Sequence, residues 1–123
     1  MATRPLVSVV DDDESVREAL PDLLREFGFA AAVFSSAEAF LASDSVCQTN
    51  CLILDVAMPG MSGLDLQRGL TLRQEGIATV FITGGRDESL RSRLLEQAGV
   101  ACLFKPFSDT ALLEALNMAV RVG

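Results

Sequence analysis

The sequence predicts an α/β fold in which helices cover both faces of one parallel sheet. Five short apolar runs alternate with five stretches of helical periodicity along the 123 residues. Half of all residues are hydrophobic, which is enough for a single buried core. Polar residues follow several of the apolar runs directly, as expected at the ends of buried strands. We therefore expect residues 1–123 to form one domain.

The N-terminal third of the chain predicts two strands and two helices. The apolar run 6–10 is the first expected strand, and the helix after it should reach about Phe27. Pro21 lies within that helix, where it removes a backbone donor, so a kink or break is expected. Residues 29–34 predict the second strand. Ser35 and Glu38 then have the spacing of a capping box, which predicts a short helix to about residue 42.

The rest of the chain continues the alternation. A polar loop is expected at 43–50, before a fully apolar central strand at 51–54. The further predicted elements are helix 64–74, strand 79–82, helix 90–98, strand 102–104, and a last helix that begins with a cap at Ser108 or Asp109 and ends near Val122.

Five polar side chains stand at or just after the carboxyl ends of four different predicted strands. They are Asp11, Asp12, Asp55, Thr83 and Lys105. In a parallel sheet these ends share one edge, so residues far apart in sequence should converge there in a single cleft. Asp55 is the clearest of them, because it ends an apolar run that a Pro-Gly pair then stops.

Composition excludes several functional classes. The net charge of −7 argues against direct binding of nucleic acid or an anionic membrane, since both need a basic face. The absence of histidine excludes a Ser-His-Asp triad and a His-ligated zinc site, so any histidine chemistry must come from another molecule. No apolar run is long enough to span a membrane and no signal-peptide pattern is present, so we expect a cytoplasmic protein.

The three cysteines have no spacing typical of a zinc site or a disulfide framework. Cys47, Cys51 and Cys102 are odd in number and form no C-x-x-C pair. We expect all three to be small core or near-core residues.

The predicted cleft has the chemistry of a phosphoryl-transfer site. Three carboxylates at one edge repel each other unless a cation offsets their charge, and Mg²⁺ binds carboxylates, a carbonyl and phosphate oxygens together. Two acids would then bind metal and one would act as nucleophile, while Thr83 and Lys105 would hold the phosphoryl oxygens. Lys105 is the single lysine beside nine arginines, and its compact ammonium suits a point-charge role.

Several motifs occur together along the chain: Asp11-Asp12, then Asp55 followed by Met58-Pro59-Gly60 and Gly63, then Thr83-Gly84, and finally Lys105-Pro106-Phe107. In this combination the chain resembles the receiver domains of two-component response regulators, over nearly its whole length. Residues 36–41 and 81–84 make it most similar to receivers that precede a helix-turn-helix output domain.

The resemblance implies a flavodoxin-like (βα)5 domain with strand order 2-1-3-4-5. It implies that Asp55 accepts a phosphoryl group from a phosphohistidine on a sensor kinase or phosphotransfer protein. Asp12, Asp55 and the backbone carbonyl of Ala57 are then expected to bind Mg²⁺, with Asp11 helping directly or through water. Such a domain is a phosphoacceptor for signalling, with no enzymatic turnover beyond its own phosphorylation and dephosphorylation.

Two features near the end of the chain bear on switching. The resemblance implies a cis Lys105-Pro106 bond. It also implies an aromatic residue three positions before the lysine, where this chain has Cys102. A cysteine is too short to fill two alternative positions, so Thr83 would have to transmit the change through the Gly84-Gly85 loop, unless Phe104 or another neighbour takes over.

The last helix is more apolar than core packing alone requires, which predicts a partner surface. By resemblance the partner is a second receiver that meets the face formed by helix 90–98, strand 102–104 and this last helix. The apolar residues concerned are Leu112, Leu113, Ala115, Leu116, Met118, Ala119 and Val120.

Other functions remain open at this stage. A phosphohydrolase with an aspartyl nucleophile would carry a second aspartate two residues after it, where this chain has Ala57. Flavin binding would need an anion cradle after the first strand, where four acids stand instead. A receiver-like module that signals by binding and is never phosphorylated is the third alternative.

Overall fold

Five parallel strands form one sheet in the order β2-β1-β3-β4-β5, as the resemblance implied. The computed structural model describes residues 4–56, 77–84 and 99–122. Within them the strands are β1 (Leu6–Val10), β2 (Ala30–Phe34), β3 (Cys51–Asp55), β4 (Ala78–Thr83) and β5 (Gly99–Phe104).

Three α-helices and one 3-10 helix connect and cover the described strands: α1 (Glu14–Glu26), α2 (Ala37–Leu41), the 3-10 helix (Asp44–Gln48) and α3 (Asp109–Val122). The 3-10 helix lies in the stretch predicted as loop. The helices predicted at 64–74 and 90–98 lie outside the described residues. No helix among the described residues is both long enough and apolar enough to cross a bilayer.

The observed helix starts and caps agree with the sequence predictions only in part. Asp13 caps α1 by accepting from the Ser15 amide at 2.9 Å. Of the kink or break expected at Pro21, the break is wrong, because α1 runs through this residue from Glu14 to Glu26. The kink stays a prediction. Ser36, one residue later than the capping-box spacing indicated, caps α2 by accepting from the Ala39 amide. For α3, the Ser108 hydroxyl accepts from the Ala111 amide, as one of the two predicted caps.

Hydrophobic residues are buried on both faces of the sheet. The larger cluster joins the sheet to α1 and α3 and includes Val7, Val9, Leu24, Ile53 and Leu116. The second cluster lies on the α2 side of the sheet, where Val10, Phe40, Leu52, Phe81 and Cys102 pack together. Alternate residues of β1 and β3 thus serve opposite faces, which is why both strands are apolar almost throughout.

The face of α3 is mostly internal. Leu112, Ala115, Leu116 and Ala119 recur at helical spacing and are buried in the larger cluster, against which Leu113 and Val120 also pack. Met118 is the large hydrophobic residue of the described part of α3 that stays exposed, at 46%. The apolar excess of this helix is therefore smaller than the sequence indicated, and the receiver dimer stays a prediction.

Candidate functional site

Strand register brings the predicted residues to one level at the carboxyl edge. Val10 pairs with Leu54, so the residues that follow them, Asp11 and Asp55, leave β1 and β3 side by side. Asp55 itself pairs with Ile82. On the far side, Thr83 pairs with Phe104, which Lys105 follows directly.

Asp11 is fully buried, and each of its polar atoms has a neighbour. Its amide donates to the Phe34 carbonyl at 3.1 Å, and its Oδ1 accepts from the Asp13 amide at 2.9 Å. Its backbone carbonyl accepts from the Arg17 guanidinium at 3.0 Å. Its Oδ2 lies 3.1 Å from Lys105 Nζ. Asp11 is therefore held by three parts of the chain: the end of β2, the start of α1 and the segment after β5.

Lys105 faces two carboxylates at once. Its Nζ lies 3.1 Å from Asp11 Oδ2 and 3.6 Å from Asp55 Oδ2. Partial burial lowers the pKa of Lys105, but the ion pair with Asp11 and the charges of Asp55 and Asp13 outweigh it, so the pKa is raised overall. The ammonium therefore stays charged at neutral pH.

Asp12 completes the acidic group from the exposed side. One carboxylate oxygen from each of Asp11, Asp12 and Asp55 lies within 4.8 Å of the others. Asp11 and Asp55 are buried, whereas Asp12 faces solvent. Two buried anions and one exposed anion thus share a small space with one ammonium.

This donor set fits a hard divalent cation. Asp11 Oδ2 is the one buried side-chain oxygen or nitrogen in the described ranges without a properly directed hydrogen bond. Its 3.1 Å contact with Lys105 Nζ is an ion pair, which offsets the negative charge. Because Asp11 Oδ2 accepts no hydrogen bond, it can still coordinate a cation. Carboxylate oxygens are the ligands that Mg²⁺ prefers.

Thr83 ends β4 and is buried. Its backbone carbonyl accepts from the Lys105 amide at 2.8 Å. Any movement of the Thr83 backbone therefore acts on the segment that carries the ammonium. Gly84, the next residue, is exposed, and a Cβ added there would meet nothing within 4 Å.

The predicted site residues thus come together where the sequence placed them. Asp11, Asp12, Asp55 and Lys105 form one cluster, with Thr83 at the adjoining strand end. The Lys105-Pro106 bond is cis, as the resemblance implied. Ala57 lies outside the described residues, as do Met58-Pro59-Gly60, Gly63 and Gly85.

The chain matches the response regulator receiver domain family over residues 7–117. It belongs to that family. Neither the phosphohydrolase nor the non-phosphorylated binding module gains support from the comparisons with known proteins.

Individual relatives agree with this assignment. The receiver is 40% identical over 118 residues to Response regulator protein TmoT of Ectopseudomonas mendocina, covering 96% of this chain and 54% of TmoT. It is 37% identical over 114 residues to Transcriptional regulatory protein FixJ of Azorhizobium caulinodans, covering 93% of this chain and 54% of FixJ. The chain therefore spans about half the length of the curated relatives it matches.

A solved structure supports the same assignment. The receiver superimposes on response regulator StyR with a TM-score of 0.89 and 43% sequence identity, covering 98% of this chain and 61% of StyR. A shared fold at this identity makes the chain a signal-transduction domain of the two-component class.

Sequence reasoning missed two groups that build the receiver's site. The Asp13 amide binds Asp11 Oδ1, and the Arg17 side chain binds the Asp11 carbonyl. The sequence held no distinct signal for either, because Arg17 follows Asp13 and Glu14 at the spacing of ordinary helix ion pairs.

The cysteines of the receiver divide into two environments. Cys51 and Cys102 are buried as predicted, and burial raises the pKa of Cys51 to about 12. The prediction for Cys47 is wrong, because this residue is exposed on the 3-10 helix. In this 3-10 helix the neighbouring Val46 enters the second core cluster, and Cys47 is left on the outer side.

Proposed function

We propose that this receiver accepts a phosphoryl group onto Asp55 from a phosphohistidine on a sensor histidine kinase or phosphotransfer protein. The observation that carries the proposal is a buried Asp55 whose Oδ2 lies 3.6 Å from Lys105 Nζ and that shares a cation-sized space with Asp11 and Asp12. A histidine-free chain needs its phosphohistidine from a partner.

The chemical step needs little from the protein beyond placement and charge. A carboxylate oxygen of Asp55 forms a bond to phosphorus while the P–N bond to the partner's imidazole breaks. The imidazole leaves with the bonding electrons and takes a proton from water. Lys105 stays protonated and attracts the phosphoryl oxygens, and the Thr83 hydroxyl donates to one of them.

Asp11, Asp12 and Asp55 would hold Mg²⁺ together with the carbonyl of Ala57, which lies outside the described residues. When bound, the ion would neutralise charge on the transferring oxygens. The unbonded Oδ2 of Asp11 supports this ligand set.

The domain would act as a switch for an output. The name of one relative, Transcriptional regulatory protein FixJ, supports control of transcription as that output. Residues 1–123 would form one cytoplasmic receiver domain, and its net charge of −7 favours no direct contact between this domain and nucleic acid. Its own phosphorylation and dephosphorylation would be its whole chemistry. A second receiver is the proposed partner of a face that includes β5 and α3. Residues 90–98, which the resemblance adds to this face, lie outside the described residues.

Labelling by a small phosphodonor tests the proposal. Incubation with acetyl phosphate and Mg²⁺ should add one phosphoryl group, seen as a single mass increment in intact-protein mass spectrometry. Asp55→Asn should remove the increment, while Asp22→Asn, which changes an exposed aspartate of α1, should leave it unchanged. Equal labelling of Asp55→Asn and the unsubstituted protein would refute Asp55 as the acceptor.

A further inference from the structure

Arg17 lies near the start of α1. The helix dipole alone disfavours a cation there, whereas Asp13 and Glu14, four and three residues earlier, favour it. Helix electrostatics therefore does not fix the role of Arg17, and its contacts decide it. The residue is half-buried, and its side chain has a partner inside the fold.

The partner is the backbone between the two acids of the site. Arg17 Nη1 donates to the Asp11 carbonyl at 3.0 Å, across six residues. The Arg17 amide donates to the Asp13 carbonyl at 3.2 Å, which is the ordinary first i→i−4 bond of α1. The side-chain bond is therefore the contact that depends on an arginine at this position.

The carbonyl concerned is part of the peptide unit that joins Asp11 to Asp12. Its orientation sets the direction in which the chain leaves β1, and so where the exposed Asp12 carboxylate can lie. Asp11 has three other contacts, through its amide, its Oδ1 and its Oδ2, but none of them holds this carbonyl. Arg17 supplies the hydrogen bond that fixes the peptide plane.

We propose that Arg17 is a positioning residue for Mg²⁺ binding by the acidic pair. It does not contact the metal; it orders the Asp11–Asp12 peptide before the cation arrives, so less conformational entropy is lost on binding. Groups that orient metal ligands typically affect metal affinity by 10-fold or more. This role rests on the proposed function of the site.

Loss of Arg17 has two effects of opposite sign on metal affinity. Its positive charge lies near three carboxylates and repels Mg²⁺, so removal of the charge alone would tighten metal binding. Loss of the hydrogen bond loosens the acidic loop and weakens binding. A positioning role therefore predicts weaker Mg²⁺ binding when Arg17 is replaced. Electrostatics alone predicts the opposite change, tighter binding.

Calorimetric titration of the whole chain with MgCl₂ measures the Mg²⁺ affinity and so the direction of this change. Arg17→Gln and Arg17→Met should each weaken Mg²⁺ binding about 10-fold, and Arg17→Lys, which keeps a charge and a donor, should recover part of the loss. Arg25→Met is the matched control, because Arg25 lies in the same helix but pairs with exposed Asp22, and it should stay within about twofold. Far-UV circular dichroism confirms that each variant is folded, and if one is not, the other Arg17 variant decides.

The outcomes separate the two proposals. Unchanged or tighter Mg²⁺ binding in folded Arg17→Gln or Arg17→Met, with normal binding by the unsubstituted protein, would overturn the role of Arg17 alone. Absence of Mg²⁺ binding in the unsubstituted protein would overturn the metal site and this role with it. Reduced thermal stability with unchanged Mg²⁺ affinity would make Arg17 a structural residue only and would also overturn the proposal.

Discussion

The two edges of the sheet differ in how their polar groups are partnered: by neutral hydrogen bonds at the amino edge and by charged contacts at the carboxyl edge. At the amino edge, the Asn50 backbone amide donates to the Leu6 carbonyl at 2.9 Å, and the Asn50 side-chain Oδ1 accepts from the Leu6 amide at 2.8 Å. The Ala30 amide binds the Pro5 carbonyl nearby. At the carboxyl edge, buried Asp11 and Asp55 share a single ammonium.

The contrast shows which edge is built to bind something. The hydrogen bonds named at the amino edge are neutral and join neighbouring segments, so they stabilise the fold. The carboxyl edge keeps excess negative charge in a partly buried space, which costs stability until a cation arrives. The following experiments test whether stability and function are separated between the two edges in this way.

The largest effect should come from Mg²⁺ itself. At a free concentration of 100 times its Kd, Mg²⁺ should raise the free energy of unfolding by about 2.7 kcal/mol, because only the folded carboxyl edge gathers the three acids. Urea denaturation followed by circular dichroism, with Mg²⁺ and with EDTA, measures the difference. Asp11→Asn should lose most of it. Equal unfolding midpoints with and without metal would contradict Mg²⁺ binding at the carboxyl edge.

Lys105→Ala should separate phosphate from metal. Because the ammonium meets the phosphoryl group and not the ion, the rate of labelling by acetyl phosphate should fall roughly 10-fold, about 1.4 kcal/mol, the lower end for a charged hydrogen bond. Mg²⁺ affinity should be kept, since the variant removes a competing cation. Arg25→Ala provides the exposed-cation control. Complete loss of Mg²⁺ binding in Lys105→Ala would show that this role for the lysine is wrong.

At the opposite edge, Asn50→Ala should affect stability alone. It removes the side-chain acceptor of the Leu6 amide and should lower the free energy of unfolding by about 1 kcal/mol. Mg²⁺ affinity and labelling should match those of the unsubstituted protein. Gln48→Ala, at an exposed neighbouring position, should change stability by less than about 0.5 kcal/mol. A labelling defect in Asn50→Ala would mean that the edges are coupled.

Cys51, at the first position of β3 on the amino edge, should cause a small loss of stability in alkali. Its pKa is raised to about 12 in the folded protein from 9.0, so the stability due to its protonated form is complete below pH 9 and is lost as pH rises toward 12. At pH 9 the loss is about 0.4 kcal/mol. The raised pKa of Lys105 adds a slope of the same sign, so Cys51→Ala is the comparison that isolates the thiol. Identical pH slopes in both proteins would contradict this assignment.

The smallest effect should be a local change in amide exchange on addition of beryllofluoride, a phosphoryl mimic. Cys102 packs beside Phe81 in the α2-side cluster and is too short to switch position as a ring would. Exchange should therefore change around Gly84, next to Thr83, and stay constant at Leu6, Ala30 and Asn50. Changes confined to residues 102–104, with Gly84 unaffected, would rule out transmission through the Gly84 loop.

Much of the fold followed from local patterns. Apolar runs marked β1, β3 and β4 to within one residue at each end, because strands buried on both faces are apolar almost throughout. The limits of β5 were less clear, since it begins at Gly99, before the predicted run 102–104. Helix starts were less certain: Ser35 and Ser36 both suit a cap, and Ser36 is used because its hydroxyl reaches the Ala39 amide. The exposure of Cys47 depended on how the 3-10 helix folds and was beyond composition.

The sequence by itself determined which residues gather at the carboxyl edge, because the ends of parallel strands must share an edge whatever the strand order. Tertiary structure decided the rest. Of two adjacent acids, Asp11 is buried and Asp12 exposed because Asp11 still pairs with Phe34 of β2, whereas the chain has turned away one residue later. The contact of Arg17 with the Asp11 carbonyl depends in the same way on how α1 leaves the sheet. Strand periodicity carries no information about the direction in which the chain leaves the sheet. Hydrogen bonds between segments distant in sequence set that direction.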